Sequence, residues 1–520
     1  MRITLVSINC NEGYYSLGIF NLQAMLALHC KNIPLCSKNY TLENSTNFIL
    51  LDLLADKGDI YAFSLHHGNF QKTFDVIRSL RILRPGVKVI VGGIDTPGIE
   101  GRGDISDWID YIVHGEGEKT IIELIHAIRT KSPVQSIKGV SYFQNKQLTV
   151  NSPRPCHENL DDFPSPYLSG AFQEYGRYQA LQLETYRGCI KRCTYCFENR
   201  GRTDAAFYSL TRIQEELDYL LRRKQVKRIE FYDTIFNVHP QRTKMLLEYI
   251  IQKNRHTSFA GEFRLEWLDP ETIDLMARAK FEIIQVGLQS TNRKILEACE
   301  RECDLIKFKE NAFYLLGHTK IKMCIDVMFG LPNDTYQNFL KTIDFVGNIK
   351  MRTRSALPIF FITKFHPGTE LGKKNGLDIL YEQWPPYSFL QQRNVSFKRE
   401  TRKFYNLFFG YLVLRHTFIC SLSQMTNFLL KELLLPLSSF YEHLGSFLSD
   451  FPPTRVLFEN CEWQDLRNNL FIRSYLRKLD LRYIASFAES YGLERKKLLQ
   501  LDRHIKKEIT LRKRFPGYSL

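Results

Sequence analysis

The chain has 520 residues, 44% of them hydrophobic and 24% charged, with a formal net charge of +15. That length holds about two to four globular domains, and the composition excludes a disordered or low-complexity protein. Its twelve cysteines run from Cys10 to Cys461 without the density of a secreted disulfide scaffold, so the expected compartment is a reducing cytoplasm, where free thiols and iron–sulfur clusters persist.

The amino terminus, "MRITLVSINCNEGYY", is strand-like and soon turns polar, unlike a signal peptide. "RITLVSI" reads as a strand and 18–29 as a helix. "DIYAFSL" (59–65) is the next strand, and the helix after it carries Phe74, Ile77 and Leu80 on one face. "KVIVGG" (88–93) and "YIVHGEGE" (111–118) follow. A helix from Lys119 places Ile121, Leu124, Ile125 and Ile128 at 3–4 spacing. This alternation predicts a doubly wound α/β domain over 1–143, a parallel sheet with helices on both faces. Ligands of such sheets sit beyond the carboxyl ends of the strands. Those ends are "INCNEG", "SLHHGN", "GGIDTPG" and "HGEGE".

Residues 144–176, including "DDFPSPYL", read as a proline-bearing linker. From 177 to 385 the strand candidates are "YQALQLETYRG", "RIEFYD", "SFAGEFRL", "IIQVGLQS", "KMCIDVMFG" and "ALPIFFITKF". Helical stretches at 207–224, 240–253, 270–279, 291–300 and 335–349 separate them. Six βα units predict a parallel, partly closed (β/α)6 barrel with its chemistry at the carboxyl ends of the strands. Residues 386–520 read as a mostly helical domain. No transmembrane segment is expected: the most apolar run, "FYNLFFGYLVLRHTFICSL", is broken by Arg415 and His416 and reads as a buried helix. The last sixty residues carry 14 Lys/Arg against 7 Asp/Glu. Their pattern suits an amphipathic helix with a solvated basic face, or a surface for an acidic partner. No helix-turn-helix or aromatic RNA-binding pattern accompanies it, so nucleic acid is not an expected partner.

"RGCIKRCTYCFENR" (187–200) sets Cys189, Cys193 and Cys196 at CxxxCxxC spacing. A structural zinc site wants four ligands, and a disulfide framework wants an even count. Three thiols suit a cluster with one open coordination position. CxxxCxxC after the first strand of a βα barrel resembles the radical S-adenosylmethionine (SAM) enzymes. The resemblance implies that Cys189, Cys193 and Cys196 hold three irons of a [4Fe–4S] cluster. The fourth iron would take the amino and carboxylate groups of SAM, and one electron would release a 5′-deoxyadenosyl radical. Arg187, Lys191 and Arg192 surround the loop with positive charge. Tyr195 stands where the family sets an aromatic against adenine. Asp233, ending "EFYD", would receive the SAM amino group, or cap a helix. Glu262, Arg264 and Glu266 alternate in "GEFRLEW" and could share a strand face. One of them, with Arg264 the candidate, would reach the ribose or carboxylate of SAM. Gln289 in "VGLQS" replaces a glutamate common among relatives, although an amide still bonds hydroxyls. "FGLPNDT" and "HPGTEL" read as strand-end turns, and Cys299 with Cys303 as half of a possible second metal site.

The leading domain resembles the cobalamin-binding domain that precedes many radical SAM barrels, through "DIYAFSLHHGN", "VIVGGIDTPG" and "YIVHGEGEKTIIELI". The resemblance implies that Ser64 reaches the nucleotide tail, that Gly92 and Gly93 leave room for it, and that His114, Gly115, Glu116 and Gly117 pass close to the corrin. The loop "NCNEGYYSLG" lacks the cobalt-ligating histidine of many such domains, so the lower cobalt face would be water-bound or vacant. His66 and His67 lie at another strand end and could approach the cobalt.

The resemblance covers about residues 1–385 and implies a class B, cobalamin-dependent radical SAM methyltransferase. Its cofactors would be a [4Fe–4S] cluster, SAM and cobalamin, and reduced flavodoxin or ferredoxin its electron donor. The substrate would be a small molecule or natural product methylated at an unactivated carbon. An oxidative cyclase or rearrangement enzyme with the same cofactors is the alternative, and a cobalamin- or redox-sensing nucleic-acid binder a distant one. A methylthiotransferase is disfavoured, because neither an extra amino-terminal three-cysteine cluster nor a β-barrel RNA domain is recognisable.

Overall fold

Strand β1, Ile3–Asn9, is buried along its whole length, as a central parallel strand covered on both faces must be. It belongs to a computed structural model that describes residues 1–374 apart from 10–12, 67, 100–104, 179, 199–201, 203, 353–354 and 364–367. The expected helical domain at 386–520, His67, and part of the "NCNEGYYSLG" loop lie outside the described residues.

The first sheet continues with β2 (Leu35–Thr41), β3 (Ile60–Ser64), β4 (Lys88–Gly92) and β5 (Tyr111–Val113), all parallel. Strands β6 (Val140–Gln144) and β7 (Gln147–Val150) add an antiparallel hairpin, giving the order β2-β1-β3-β4-β5-β6-β7. The strand order reverses between β1 and β3, the switch point at which such sheets bind ligands. Helices α1 (Leu17–His29) and α4 (Gly117–Thr130) cover one face, and α2 (Thr46–Asp56) and α3 (Phe70–Leu83) the other. The doubly wound arrangement is present, and the sheet runs past the expected boundary at 143. Asn145 and Lys146 both take positive φ, at 50° and 64°, the handedness a two-residue hairpin turn requires.

The second sheet begins with β8 (Leu181–Leu183). Two short strands, β9 (Tyr186–Arg187) and β10 (Ala206–Phe207), pair with each other around the cysteine loop. Strands β11 (Arg228–Phe231), β12 (Ser258–Phe263), β13 (Phe281–Gln289), β14 (Lys322–Phe329) and β15 (Ala356–Ile362) then complete a six-stranded parallel sheet, ordered β15-β14-β13-β12-β11-β8. The connecting helices are α5 (Leu210–Leu221), α6 (Pro240–Lys253), α7 (Pro270–Arg278), α8 (Arg293–Ala298), α9 (Leu305–His318) and α10 (Tyr336–Arg352), with α11 (Glu370–Lys374) after the last strand. This is the expected (β/α)6 partial barrel. Among the described residues no helix is long and apolar enough to cross a membrane.

The expected linker is a packed seam. Leu160, Phe163, Tyr167 and Phe172 join the barrel core together with Tyr15, Leu17 and Phe20 from the first domain. The Tyr15 and Tyr167 hydroxyls lie 2.6 Å apart. Tyr15 accepts the Gln182 amide at 2.7 Å, and the Gln182 carbonyl accepts from both tyrosines. The first domain is thereby hydrogen-bonded to β8 itself.

Two predictions follow from this packing. Gly93 has φ +118°, and a Cβ there would stand 2.4 Å from the Leu65 carbonyl oxygen. Gly93→Ala is therefore expected to cost about 2–4 kcal/mol in urea unfolding, from backbone strain and overlap. Lys350 is buried in α10 with its ammonium on the Ala356 carbonyl at 3.3 Å, and burial pushes its pKa down to about 8. Between about pH 8 and 10.5 the unfolded chain then holds more protons than the folded one, so this residue makes stability rise with pH across that window. Unfolding curves of Lys350→Met should lose that slope and gain stability at pH 7.

Candidate functional site

The cysteine loop leaves β8 at the carboxyl end of the second sheet. Asp233, just past β11, is buried and fixes its start: its carboxylate accepts the Thr185 amide at 2.7 Å, the Thr185 hydroxyl at 2.6 Å and the Tyr186 amide at 3.4 Å. Burial pushes this carboxyl up to about 7 despite those bonds. Thr234 donates to the Gly188 carbonyl at 2.9 Å. The far side of the loop is tied by the Thr194 amide to the Cys299 carbonyl (3.0 Å) and by the Leu371 amide to the Thr194 carbonyl (2.8 Å).

Cys189 and Cys193 are buried, Cys196 is partly so, and none is in a disulfide. The three lie in one another's electrostatic field. Burial raises the Cys189 thiol and pushes Cys196 up to about 12. Thiols this disfavoured as free thiolates ionise when a metal takes them. Among the described residues no three Cys, His, Asp or Glu side chains gather tightly enough for a single ion. Thiolates on three different irons of one cubane have no need to converge in that way. The donor set therefore fits a cluster.

Arg301 is the residue that sequence reasoning missed. It is 8% exposed, donates to the Cys193 sulfur at 3.9 Å, and reaches the Gly287 carbonyl with its other terminal nitrogen. A cubane's excess of negative charge would balance it. Tyr195 packs with Ile295, Cys299, Leu331 and Met328, an apolar nest that leaves its ring at the strand ends. Gln289 ends β13 at a register shift with φ +67°, and its side-chain oxygen is buried without a hydrogen-bond partner. A non-glycine residue in that conformation is uncommon.

The strand β12 ends at Phe263, so the expected alternation of Glu262, Arg264 and Glu266 on one face breaks there. Glu262 faces the open inside of the barrel. Burial first, then Asp326, Glu198 and Glu230, push it up to about 8. Gln285 donates to Asp326 at 2.7 Å across the same interior. Arg264 and Glu266 turn away into a short 3-10 turn and pair with each other at 2.5 Å, both buried. The second metal site at Cys299 and Cys303 also lacks its premise: α8 ends at Ala298, and Cys299 sits beside Tyr195 while Cys303 lies by Glu266.

In the first domain, Ser64, Gly92 and the turn 114–117 do lie at adjacent strand ends, with Ser64 in register with Gly92 and Gly92 with Val113. His114 binds Ser141 through its ring at 2.8 Å. His66 is held at the Ile8 carbonyl (3.3 Å). Glu116 accepts the His157 amide at 2.7 Å and pairs with Arg202 at 3.4 Å. Arg187, two residues before Cys189, reaches Glu118 of α4 at 2.7 Å and Glu184 at 2.9 Å. These pairs bring the 114–117 turn and the cysteine loop to one place.

The profile of the Radical SAM superfamily matches residues 183–346. An uncharacterized methyltransferase of Pyrococcus horikoshii is 27% identical over 280 residues, 51% of this chain and 57% of that protein. An anaerobic magnesium-protoporphyrin IX monomethyl ester cyclase of Synechocystis sp. is 25% identical over 194 residues, 36% of this chain and 39% of that one. The chain thus spans about half the length of the curated relatives it matches. Among solved structures, OxsB, a cobalamin-dependent S-adenosylmethionine radical enzyme with aqua-cobalamin and SAM bound, superposes with a TM-score of 0.61 at 16% identity, over 97% of this chain and 84% of that one. The fold is therefore shared with that enzyme, and the segment that matches the Radical SAM superfamily is the one that carries the three thiols at the mouth of the (β/α)6 partial barrel.

Proposed function

We propose that the chain is a cobalamin-dependent radical SAM enzyme that methylates an unactivated carbon of a small-molecule or natural-product substrate. The observation that carries this reading is the joining of two ligand-binding edges. The Arg187–Glu118 and Arg202–Glu116 pairs hold the cysteine loop against the end of the first sheet. When bound, the cluster and SAM supply a radical able to take hydrogen from carbon, and cobalamin supplies a methyl group.

Cys189, Cys193 and Cys196 would hold the cluster. Tyr195 would offer its ring to the adenine of SAM, and Gln289 its unpaired oxygen to a hydroxyl. Asp233 and Arg264, whose heads are engaged by Thr185 and Glu266, would act behind these as struts. Ser64, Gly92, Gly93 and His114 to Gly117 would border the corrin. The barrel interior beside Glu262 and Asp326 would take the substrate and exclude water, holding one carbon between the two cofactors. Reduced flavodoxin or ferredoxin would deliver the electron. The similarity to a magnesium-protoporphyrin cyclase favours a second reading, oxidative ring formation with the same cofactors and no methyl transfer.

Reconstituted anaerobically, the protein should bind about four irons per chain and release 5′-deoxyadenosine from SAM in the presence of cobalamin and a reductant. Cys193→Ala should lose both properties, and a variant that kept them would overturn the assignment. With methyl-labelled SAM, product carrying the label supports methylation, and product without it supports the cyclase reading. Gln289→Ala should keep its iron and raise the KM for SAM about three- to tenfold, the worth of one buried hydrogen bond.

A further inference from the structure

We propose that Arg301 is the fixed counter-charge of the cluster site and sets the cluster's reduction potential, an inference that rests on the cluster reading above. A guanidinium stays protonated in any protein environment, so burying one requires an anion nearby. Among the described residues Arg301 has no carboxylate within ion-pair distance: its bonds go to the Cys193 sulfur and the Gly287 carbonyl, and its Nε has no partner. Glu266, the nearest carboxylate to feel its charge, is bonded to Arg264 instead. The direct contact of Arg301 with Cys193 points its charge at the group the three thiols would hold.

The local backbone is built around this side chain. Gly287 lies at the irregular end of β13, and a Cβ there would stand 3.0 Å from an Arg301 terminal nitrogen. The main chain of residues 299–301 is itself bound to the loop, through the Thr194 amide on the Cys299 carbonyl. Arg301 therefore cannot drift from the thiols without the loop moving too.

The consequence is electrostatic. One electron from a low-potential donor adds one negative charge to the cluster, with no proton taken up and no bond broken. A cation at fixed distance, out of water, stabilises the reduced form more than the oxidised one, and hydrogen bonds to cluster sulfurs act in the same direction. Arg301 thus acts through the cluster and not on the substrate.

The test is an anaerobic redox titration of the full-length reconstituted protein, followed by electron paramagnetic resonance, with iron and sulfide measured on every sample. Arg301→Gln is expected to keep its iron while its reduction equilibrium constant falls about tenfold or more, a midpoint about 59 mV more negative. Arg301→Lys, which keeps the charge and loses the fork, should fall between the two. An Arg301→Gln cluster with full iron and an unchanged midpoint would overturn the proposal. Should Arg301→Gln fail to fold or to hold iron, Arg301→Met decides: it removes the same charge with an apolar chain and adds no new charge to the site. A lowered midpoint in that variant supports the proposal, and an unshifted one overturns it. Wild-type protein that binds no iron–sulfur cluster at all overturns the cluster reading itself, an outcome the metal analysis distinguishes from the others.

Discussion

The site depends on one buried cation at the seam between the two sheets. Arg187 shares its guanidinium between Glu118, on the last helix of the first domain, and Glu184, just before the cysteine motif. Its flat face lies 5.3 Å from the centre of the Phe163 ring. All three charged groups are mostly out of water, and removing one partner of such an arrangement leaves a charge uncompensated, at about 3–5 kcal/mol. Apart from the Arg202–Glu116 pair, the seam around it is largely apolar and aromatic. The arginine therefore adds little net attraction and mainly fixes register, because the domains can pack only where these carboxylates meet it. The Tyr15–Tyr167 pair on Gln182 does the same at the start of the strand that feeds the cysteine loop.

Charge near the thiols is distributed differently from its order in the sequence. The run Arg187, Lys191, Arg192 suggests a cationic loop that would favour thiolates. In the fold Arg187 is neutralised by two carboxylates, and Lys191 is paired with Glu302 at 3.1 Å and lies against Trp267. The cation that reaches a cysteine sulfur is Arg301, more than a hundred residues away in the chain. Proximity in sequence indicated the sign of the local field and named the wrong residue for it. No local pattern marks Arg301, because its partners are a main-chain carbonyl and a thiol brought together only when β13 and the loop close the barrel mouth.

Much of the rest was legible. Continuous hydrophobic runs revealed β1, β3 and β4, and six βα units gave the barrel with its cysteine loop after the first strand. The elements missed share a physical reason. Strand β2, "LCSKNYT", is an edge strand with five of its seven residues only half-buried, so it lacks a hydrophobic signature. Helix α2 buries only Ile49 and Leu53. The run 291–300 predicts one helix for that unit, whereas α8 stops at Ala298 and a second helix, α9, starts at Leu305. The expected boundary at 143 cuts the β6–β7 hairpin, because β7, "QLTV", is short and largely exposed and so carries no hydrophobic signature. Among site residues, the place of the cysteine loop after the first barrel strand could be read from motif spacing. Arg264 could not, because nothing in "GEFRLEW" says that the strand ends at Phe263.

The glycines at the strand ends serve the backbone itself, apart from any room that Gly92 and Gly93 would leave for a ligand tail. At Gly93 the missing side chain is demanded by the protein itself, since a Cβ would strike the Leu65 backbone of the neighbouring strand end. The Leu65 amide in turn donates to the Gly92 carbonyl at 2.7 Å, so the pair of glycines closes one strand end onto the next. Gly115 differs: it has φ +68° and, among the described residues, nothing within 4 Å of where a Cβ would lie. There the chain needs only the left-handed turn, and the space beside it stays open. Two glycine positions with the same sequence signature thus do opposite things. One makes the edge of the first sheet rigid, and the other leaves that edge accessible beside Glu116, whose pairing with Arg202 faces it toward the cysteine loop. A rigid rim next to an open gap is what a large flat ligand held against a second reactive centre requires, and it arises here from backbone constraints before any ligand contact is considered.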